Sequence, residues 1–292
     1  MTSTPIPATP DTGPDPAELA SLAESVAVEA GELALRHRRT GIELAGTKSS
    51  RSDVVTAADL AVEQLIRDRI AAARPGDTVL GEEGGSQPGA AGTSGGSPAV
   101  AVSWVVDPID GTVNYVYGIP AWSVSIAVAV GGQVMAGAVV NPMTGEVFTA
   151  SAGGGASLNG APLRRGGDVP DLAVALVGTG FGYTAANRAV DGWVVGELLP
   201  QVRDIRRIGS ASLDLCMVAT GQLDAYYERG LNPWDHAAGG LVAAEAGYTV
   251  AGLAGAPAGR AFLLAASLGL WEPLHDSLAT LFADPRGTRP AA

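Results

Sequence analysis

The chain has little of several things that would declare a function at once. It holds a single cysteine, Cys216, in 292 residues. One thiol cannot form an internal disulfide, so a reducing cytoplasm is the expected setting. Basic runs are missing and the net charge is -12. That excludes a nucleic-acid backbone as the principal partner, because binding one takes Lys and Arg to release its counterions. No apolar run reaches membrane-spanning length, and the first residues show neither a basic n-region nor an apolar h-region. Neither a membrane nor a secretory route is therefore expected. Aromatics make up only 5% and charged residues 16%, so Val, Leu, Ile and Ala must fill the core. The 40 glycines and 19 prolines follow no strict period, which excludes a collagen-like array.

What is present is a chain 47% hydrophobic, enough for one large domain or two fused layers. Residues 1–16, rich in Pro, Thr and Asp, read as a disordered tail. Leu19, Leu22, Val26 and Leu33 predict a helix from about Pro16 to Arg38. Val62, Leu65, Ile66 and Ile70 make an apolar stripe that predicts a second helix over Asp59–Ala73, with Glu63, Arg67 and Asp68 off the stripe and Thr56 as N-cap. A short strand ends at Leu80, a Gly/Ser/Pro loop runs from Gly84 to Pro98, and a buried strand holds Trp104, Val105 and Val106. Strands follow over Ser123–Val130, Val134–Val140 and Glu146–Ala150, and Asn159-Gly160 is a hairpin signal. Beyond Arg165 strands and helices alternate. Strands are expected at Ala173–Val177, Ile205–Ile208, Ala225–Glu228 and Ala261–Ala265. Helices are expected at Ala189–Val202, Ser210–Thr220, Ala237–Ala246 and Leu268–Phe282. The class is α/β with an α+β first half, and the pattern suggests two sheets sandwiched between helices. One domain is expected over 17–285, with halves 17–166 and 167–285 meeting near Gly166, and a tail over 286–292.

Chemistry concentrates in Trp104-Val-Val-Asp107-Pro-Ile109-Asp110-Gly111-Thr112-Val113-Asn114-Tyr115. Carboxylates at the end of a buried strand are costly unless a cation neutralises them. Neither Lys nor Arg occurs from Pro75 to Leu163, so a hard divalent cation with oxygen ligands is the simplest solution. A plain Asp-Gly turn is the bland alternative. Gly81-Glu82-Glu83-Gly84 is by itself no more than an acidic loop. In Asn232-Pro-Trp-Asp235-His236, Asp235 reads as a helix N-cap, and the Ala and Gly that follow allow close approach of a ligand or backbone. His236 reads as structural or solvent-facing. Cys216, between Leu215 and Met217, reads as core.

Taken in order, these runs resemble the inositol monophosphatase family. Asp107-Pro-Ile-Asp-Gly-Thr-Val-Asn-Tyr, with Trp104 before it and Gly118-Ile-Pro after it, is similar to the family's first signature. Trp234-Asp-His-Ala-Ala-Gly, closing on Glu245-Ala-Gly, is similar to the second. Gly81-Glu-Glu resembles the intervening acidic motif, and Lys48 to Asp59 the N-terminal loop and helix start. The match runs from about Leu19 to Phe282, and four motifs in order are far more specific than any one. Val113 stands where a second Thr is commoner and Tyr115 where Phe is commoner. The Gly84–Pro98 loop is longer than in compact members.

The resemblance implies a layered αβαβα sandwich of the inositol monophosphatase and fructose-1,6-bisphosphatase type. It implies a magnesium-dependent, lithium-sensitive phosphatase, with two or three Mg2+ held by Glu82, Asp107, the Ile109 carbonyl, Asp110 and Asp235. Glu82, Thr112 and Asp59 would orient and activate the attacking water. The amides of Gly111 and Thr112 would hold the phosphate, and Gly209, Ser210, Ala211 and Glu228 would line the ring pocket, with Asp110 and Asp235 also facing substrate. Lys48 and Asp53 would belong to a loop closing over the metals, and a homodimer is the family habit. The expected substrate is a small phosphate monoester, inositol 1-phosphate first. Histidinol phosphate, fructose 1,6-bisphosphate or 3'-phosphoadenosine 5'-phosphate would suit a sibling on the same scaffold. A reading of another class keeps the fold for a protein-binding, regulatory role. Elementary electrostatics agrees with the metals: a phosphate dianion beside four carboxylates needs cations between them.

Overall fold

The structure, a computed structural model, describes residues 13–41, 44–47, 54–89, 100–164, 169 and 171–287. Helix α1 (Pro16–Thr40) starts where the Asp15 carboxylate accepts the Ala17 N–H at 2.9 Å, with Pro16 at the first helical position. Its buried face is mostly alanine, with Leu19 and Val26, so the helix lies close on the sheet beneath. Strands β1 (Leu44–Thr47) and β2 (Val54–Thr56) form a short antiparallel pair. Helix α2 (Ala57–Ala73) follows from the expected Thr56 cap, whose hydroxyl accepts the N–H groups of Ala58 and Asp59.

The first sheet contains β3 (Thr78–Gly81), β4 (Gly85–Gln87) and β5 (Val102–Asp110), then, after the short helix α3 (Thr112–Tyr117), β6 (Ser123–Val130), β7 (Gln133–Asn141), β8 (Glu146–Ser151), β9 (Gly155–Leu158) and β10 (Ala161–Leu163). Their order is β10-β9-β8-β7-β6-β5-β3-β4. Only the β3–β5 pairing is parallel, with Gly81 opposite Val106. The second sheet is built from β11 (Leu176–Thr179), β12 (Asp204–Arg206), β13 (Ala225–Glu228), β14 (Thr249–Ala251) and β15 (Leu263–Ala266), in the order β12-β11-β13-β15-β14. Helices α4 (Ala185–Leu198), α5 (Ala211–Thr220), α6 (Pro233–Glu245) and α7 (Leu268–Ala283) alternate with these strands.

Side-chain alternation along the strands sorts the core into three layers. Trp104, Val106, Ile126 and Val128 face α1 and α2, meeting Val62, Ile66 and Ile70. Val105, Ala127, Val139 and Phe148 face the other way, onto Leu215, Val218 and Val242 of α5 and α6, with Tyr226 and Leu263 of the second sheet beyond. Val177, Tyr227 and Leu264 face α4 and α7 through Val190, Val194, Leu270, Leu274 and Leu278. The result is the expected αβαβα sandwich. Cys216 is buried in the middle layer, and burial pushes its thiol pKa well up.

Several elements differ from expectation. Gly85–Gln87, read as loop, pairs with β3. The strand expected at Ala173 starts at Leu176, because the Asp171 carboxylate accepts the Ala173 N–H at 3.0 Å and turns Leu172–Val174 into one 3-10 turn. Helix α4 begins four residues early at a Thr184 cap and ends at Leu198, before Pro200. Glu63 and Arg67, off the apolar stripe of α2, are nevertheless buried. They form an ion pair of 2.8 Å beneath the turn after β3. The expected boundary at Gly166, and all but four residues of the expected N-terminal tail, lie outside the described residues. Among those residues no helix is long and apolar enough to cross a membrane.

Candidate active site

The parallel pairing of β3 with β5 brings two acidic segments side by side. The Glu82 N–H donates to the Val106 carbonyl at 3.2 Å, so Glu82 lies alongside Asp107. The turn that carries Glu82 is anchored from below. Buried Glu63 accepts the N–H groups of Glu83 and Gly84, each at 2.8 Å. Arg67 donates to the carbonyls of Val79 and Gly85. Glycine is required above this pair, because a Cβ on Gly81 would lie 2.4 Å from the Glu63 carboxyl carbon.

The regular β5–β6 register breaks between Asp107 and Asp110, and the break lets both acids leave the strand's alternation. Asp107 accepts the Ile109 N–H at 3.1 Å. Gly111 then turns the chain at φ +91°, where a Cβ would meet the Gly209 carbonyl at 3.0 Å and that of Ala121 at 3.1 Å. This close approach presses the end of β5 against the start of α5. One Asp110 oxygen accepts the Ser210 hydroxyl at 2.7 Å, the Ser212 N–H at 2.8 Å and the Ser212 hydroxyl at 2.6 Å. Asn114 closes the loop by donating to the carbonyls of Ala121 and Ile208. The commoner Phe is not needed at position 115, because the buried Tyr115 hydroxyl donates to the Ala34 carbonyl at 3.0 Å.

Asp59 is the third residue of α2. One of its oxygens accepts the Thr56 N–H and hydroxyl, closing a capping box. The other faces the Thr112 hydroxyl at 3.2 Å, and that hydroxyl also lies 3.0 Å from the Ile109 carbonyl.

Asp235 is not the N-cap expected. Helix α6 begins at Pro233 with Asn232 as cap, and Asp235 sits one turn in, accepting the Asn232 N–H at 2.6 Å. Asn followed by Pro at the first helical position is the stronger start signal. The adjacent His236 is partly buried, which lowers its pKa. Glu228 ends β13, its carboxylate accepting the Tyr226 hydroxyl. It lies so close to Gly180 that a Cβ there would overlap it.

The electrostatics is that of crowded acids. Burial pushes the Asp235 pKa well up, and the charges of Asp110, Glu82 and Glu228 add to the shift. Asp110 is raised by burial against the opposing hydrogen bonds of Ser212 and Ser210. Buried Asp214, which faces Glu228 and Asp110, is likewise raised well above the ordinary range. Glu228 is pushed up to about 7, mainly by burial, while Tyr226 and Arg207 pull the other way.

Each predicted site residue among those described lies in or beside this cluster, at the ends of β3, β5 and β13 and the starts of α2, α3, α5 and α6. Lys48 and Asp53 lie outside the described residues. Sequence reasoning missed Ser212, Asn114, Tyr226, Asp214 and the Glu63–Arg67 anchor. Asn114 and Tyr226 stood inside motifs the sequence singles out, but neither was assigned a part in the site.

Among the described residues no three acids converge into a ready-made cation cage, since local donors hold Asp59, Asp110 and Asp235. Nor does a described ion pair reach Asp110 or Asp235, and no cationic side chain figures among the groups that shift them. An all-oxygen set of crowded carboxylates, two of them raised toward protonation, fits a hard divalent cation such as magnesium. Such a set beside the Asp59–Thr112 pair and the glycine turn at Gly111 is the kind of arrangement a metal-dependent phosphate-ester hydrolase uses.

Comparison with known proteins agrees. The family model described as "Inositol monophosphatase family" matches residues 15–285. The chain is 50% identical over 249 residues to inositol-1-monophosphatase SuhB of Mycobacterium tuberculosis, covering 81% of this chain and 84% of that one. It is 37% identical over 254 residues to Nus factor SuhB of Escherichia coli, covering 87% and 91%. The solved structure of Mycobacterium tuberculosis SuhB superposes with a TM-score of 0.76 at 44% identity, covering 91% of this chain and 98% of that one. This chain therefore belongs to the inositol monophosphatase family. It is a phosphoric monoester hydrolase of a family that depends on metal, generally magnesium.

Proposed function

We propose that the chain hydrolyses inositol 1-phosphate to inositol and phosphate. The observation that carries this reading is Glu228, a carboxylate held by Tyr226 at the rim of the acidic cluster, where it can accept hydrogen bonds from ring hydroxyls. Gly209, Ser210 and Ala211 would line the opposite side of the ring. In this reading Glu82, Asp107, Asp110, Asp235 and the Ile109 carbonyl hold two or three magnesium ions. Bound magnesium supplies Lewis acidity, offsetting phosphate charge and acidifying water.

The chain's own groups do the rest. The Thr112 hydroxyl accepts the proton of the attacking water as its own passes to Asp59, which the Thr56 cap holds in place. The N–H groups of Gly111 and Thr112 orient the phosphate. Glu228 fixes the ring so that the ester oxygen leaves opposite the incoming water. Lithium sensitivity, a homodimer and a cytoplasmic setting belong to the same reading.

The test is phosphate release with magnesium from inositol 1-phosphate, histidinol phosphate, fructose 1,6-bisphosphate and 3'-phosphoadenosine 5'-phosphate. Preference for the inositol ester that weakens in Glu228→Gln supports the assignment. Preference for another ester transfers the site to a sibling substrate. A second reading, a protein-binding role on the same fold, draws on the name Nus factor borne by the Escherichia coli relative. Partner binding that survives Asp107→Asn would support it, and binding lost with turnover would remove it.

A further inference from the structure

Between α4, α7 and the segment 252–262 lies a cavity of about 650 Å³ that none of the acids above lines. That volume suits a small organic molecule. Its walls mix two kinds of group. Leu253, Phe262 and Phe282 are apolar, the two rings packed edge to face with centroids 5.2 Å apart. Arg229, Arg260 and Asp191 are charged. Two guanidinium groups against one carboxylate leave the cavity positive in a chain of net charge -12.

Arg229 is built into this wall. Its guanidinium lies 4.5 Å from the Phe282 ring centroid and donates to Asp191 at 3.0 Å. Asp191 is itself held by the Gly182 N–H at 2.9 Å. The Arg229 Nε is buried and has no hydrogen-bond partner. A buried donor without an acceptor is costly, and an arginine that lines a cavity suits a ligand carboxylate or phosphate, which a guanidinium binds with fork geometry. A polyol would gain little from walls of this kind.

We propose that this cavity is an effector site for a small organic anion with an apolar, ring-sized body. The anionic group pairs with Arg229 and Arg260, and the body packs against Phe262, Phe282 and Leu253. Occupancy is felt in the active site because both arginines are tied to the segment between its residues. Arg229 directly follows Glu228. The Arg260 carbonyl accepts the Gly230 N–H at 2.8 Å, and its guanidinium donates to the Asn232 side chain. Asn232 is the cap whose N–H holds Asp235. A ligand that shifts either arginine therefore moves the segment from Glu228 to the start of α6.

The probe is 3-phenylpropionate, titrated calorimetrically into the full chain without divalent ions, where the acidic site repels anions. One-to-one saturable binding is expected. It should weaken at least tenfold for the neutral 3-phenylpropanamide and at least tenfold in Arg260→Gln, whose exposed side chain makes the substitution safe for folding. With magnesium, saturating probe should change the KM for a phosphate ester at least threefold in the natural chain and leave Arg260→Gln unmoved. No saturable binding, equal binding of the amide, or undiminished binding in Arg260→Gln overturns the site. An unchanged KM at saturation overturns its effector role. The binding arm does not depend on which ester is the substrate.

Discussion

Replacing Arg67 by Met tests how the acidic turn after β3 is held. The arginine is almost fully buried, pairs with equally buried Glu63 at 2.8 Å and donates to two backbone carbonyls. Its loss leaves the Glu63 carboxylate buried without its countercharge, and such removals cost about 3–5 kcal/mol. For a chain of this size that lowers the melting temperature by roughly 5–8 °C. Glu63 holds the N–H groups of Glu83 and Gly84, so a carboxylate drawn away toward water loosens the turn carrying Glu82. Calorimetric melting and phosphate release with magnesium should therefore fall together. The double change Glu63→Leu with Arg67→Met removes both charges and should recover most of the stability but not the activity, because the two amides stay unheld. A single Arg67→Met variant that melts within 2 °C of the natural chain, as roughly 1 kcal/mol or less would allow, refutes the argument.

Asp110→Asn and Asp235→Asn should each abolish phosphate release while leaving the melting temperature without magnesium unchanged or higher, since each removes a buried charge repelled by its neighbours; near-normal turnover would sink the metal assignment. Glu228, with its pKa near 7, loses the charge that ring hydroxyls donate to as pH falls through 7. KM for inositol 1-phosphate should therefore rise on acidification, measured by initial rates from pH 6 to 8, and this rise should vanish in Glu228→Gln. Gly111→Ala forces an L-residue into the left-handed region at a cost of about 1–2 kcal/mol, and its Cβ meets two carbonyl oxygens. Chemical denaturation should show at least that loss, and an unchanged midpoint would contradict the close packing of β5 on α5.

The helices and central strands were legible in the sequence because burial sets their period. The β6 and β13 boundaries were read to the residue, and α2 and α7 to within two. The acids of the site were legible because buried-strand acids without a nearby base are conspicuous. What escaped was local chemistry or long-range partnership. Asp171 diverts its own backbone, and the stretch beyond Gly84 shows no alternation to mark its three-residue strand. Ser212 looks like any small helical residue until Asp110, a hundred residues away, is brought to it. Glu63 and Arg67 lie off the apolar stripe, and only the turn they support explains their burial. Asp235 was seen as acid but misplaced by one turn, because Asn232-Pro233 was not read as the helix start.

The middle layer of the sandwich has a consequence for synthesis on the ribosome. The strands up to Leu163 emerge first, yet the face formed by Val105, Ala127, Val139 and Phe148 is covered by α5 and α6, which end only at Glu245. At cellular elongation rates of about 5–20 residues per second, roughly 4 to 16 seconds separate the finished strands from their cover. During that interval a nearly complete sheet presents an apolar face with nothing of its own chain to lie against it. Newly made protein is thus most dependent on chaperones in this window, and slowing translation between residues 164 and 245 should raise the aggregated fraction more than slowing it anywhere earlier.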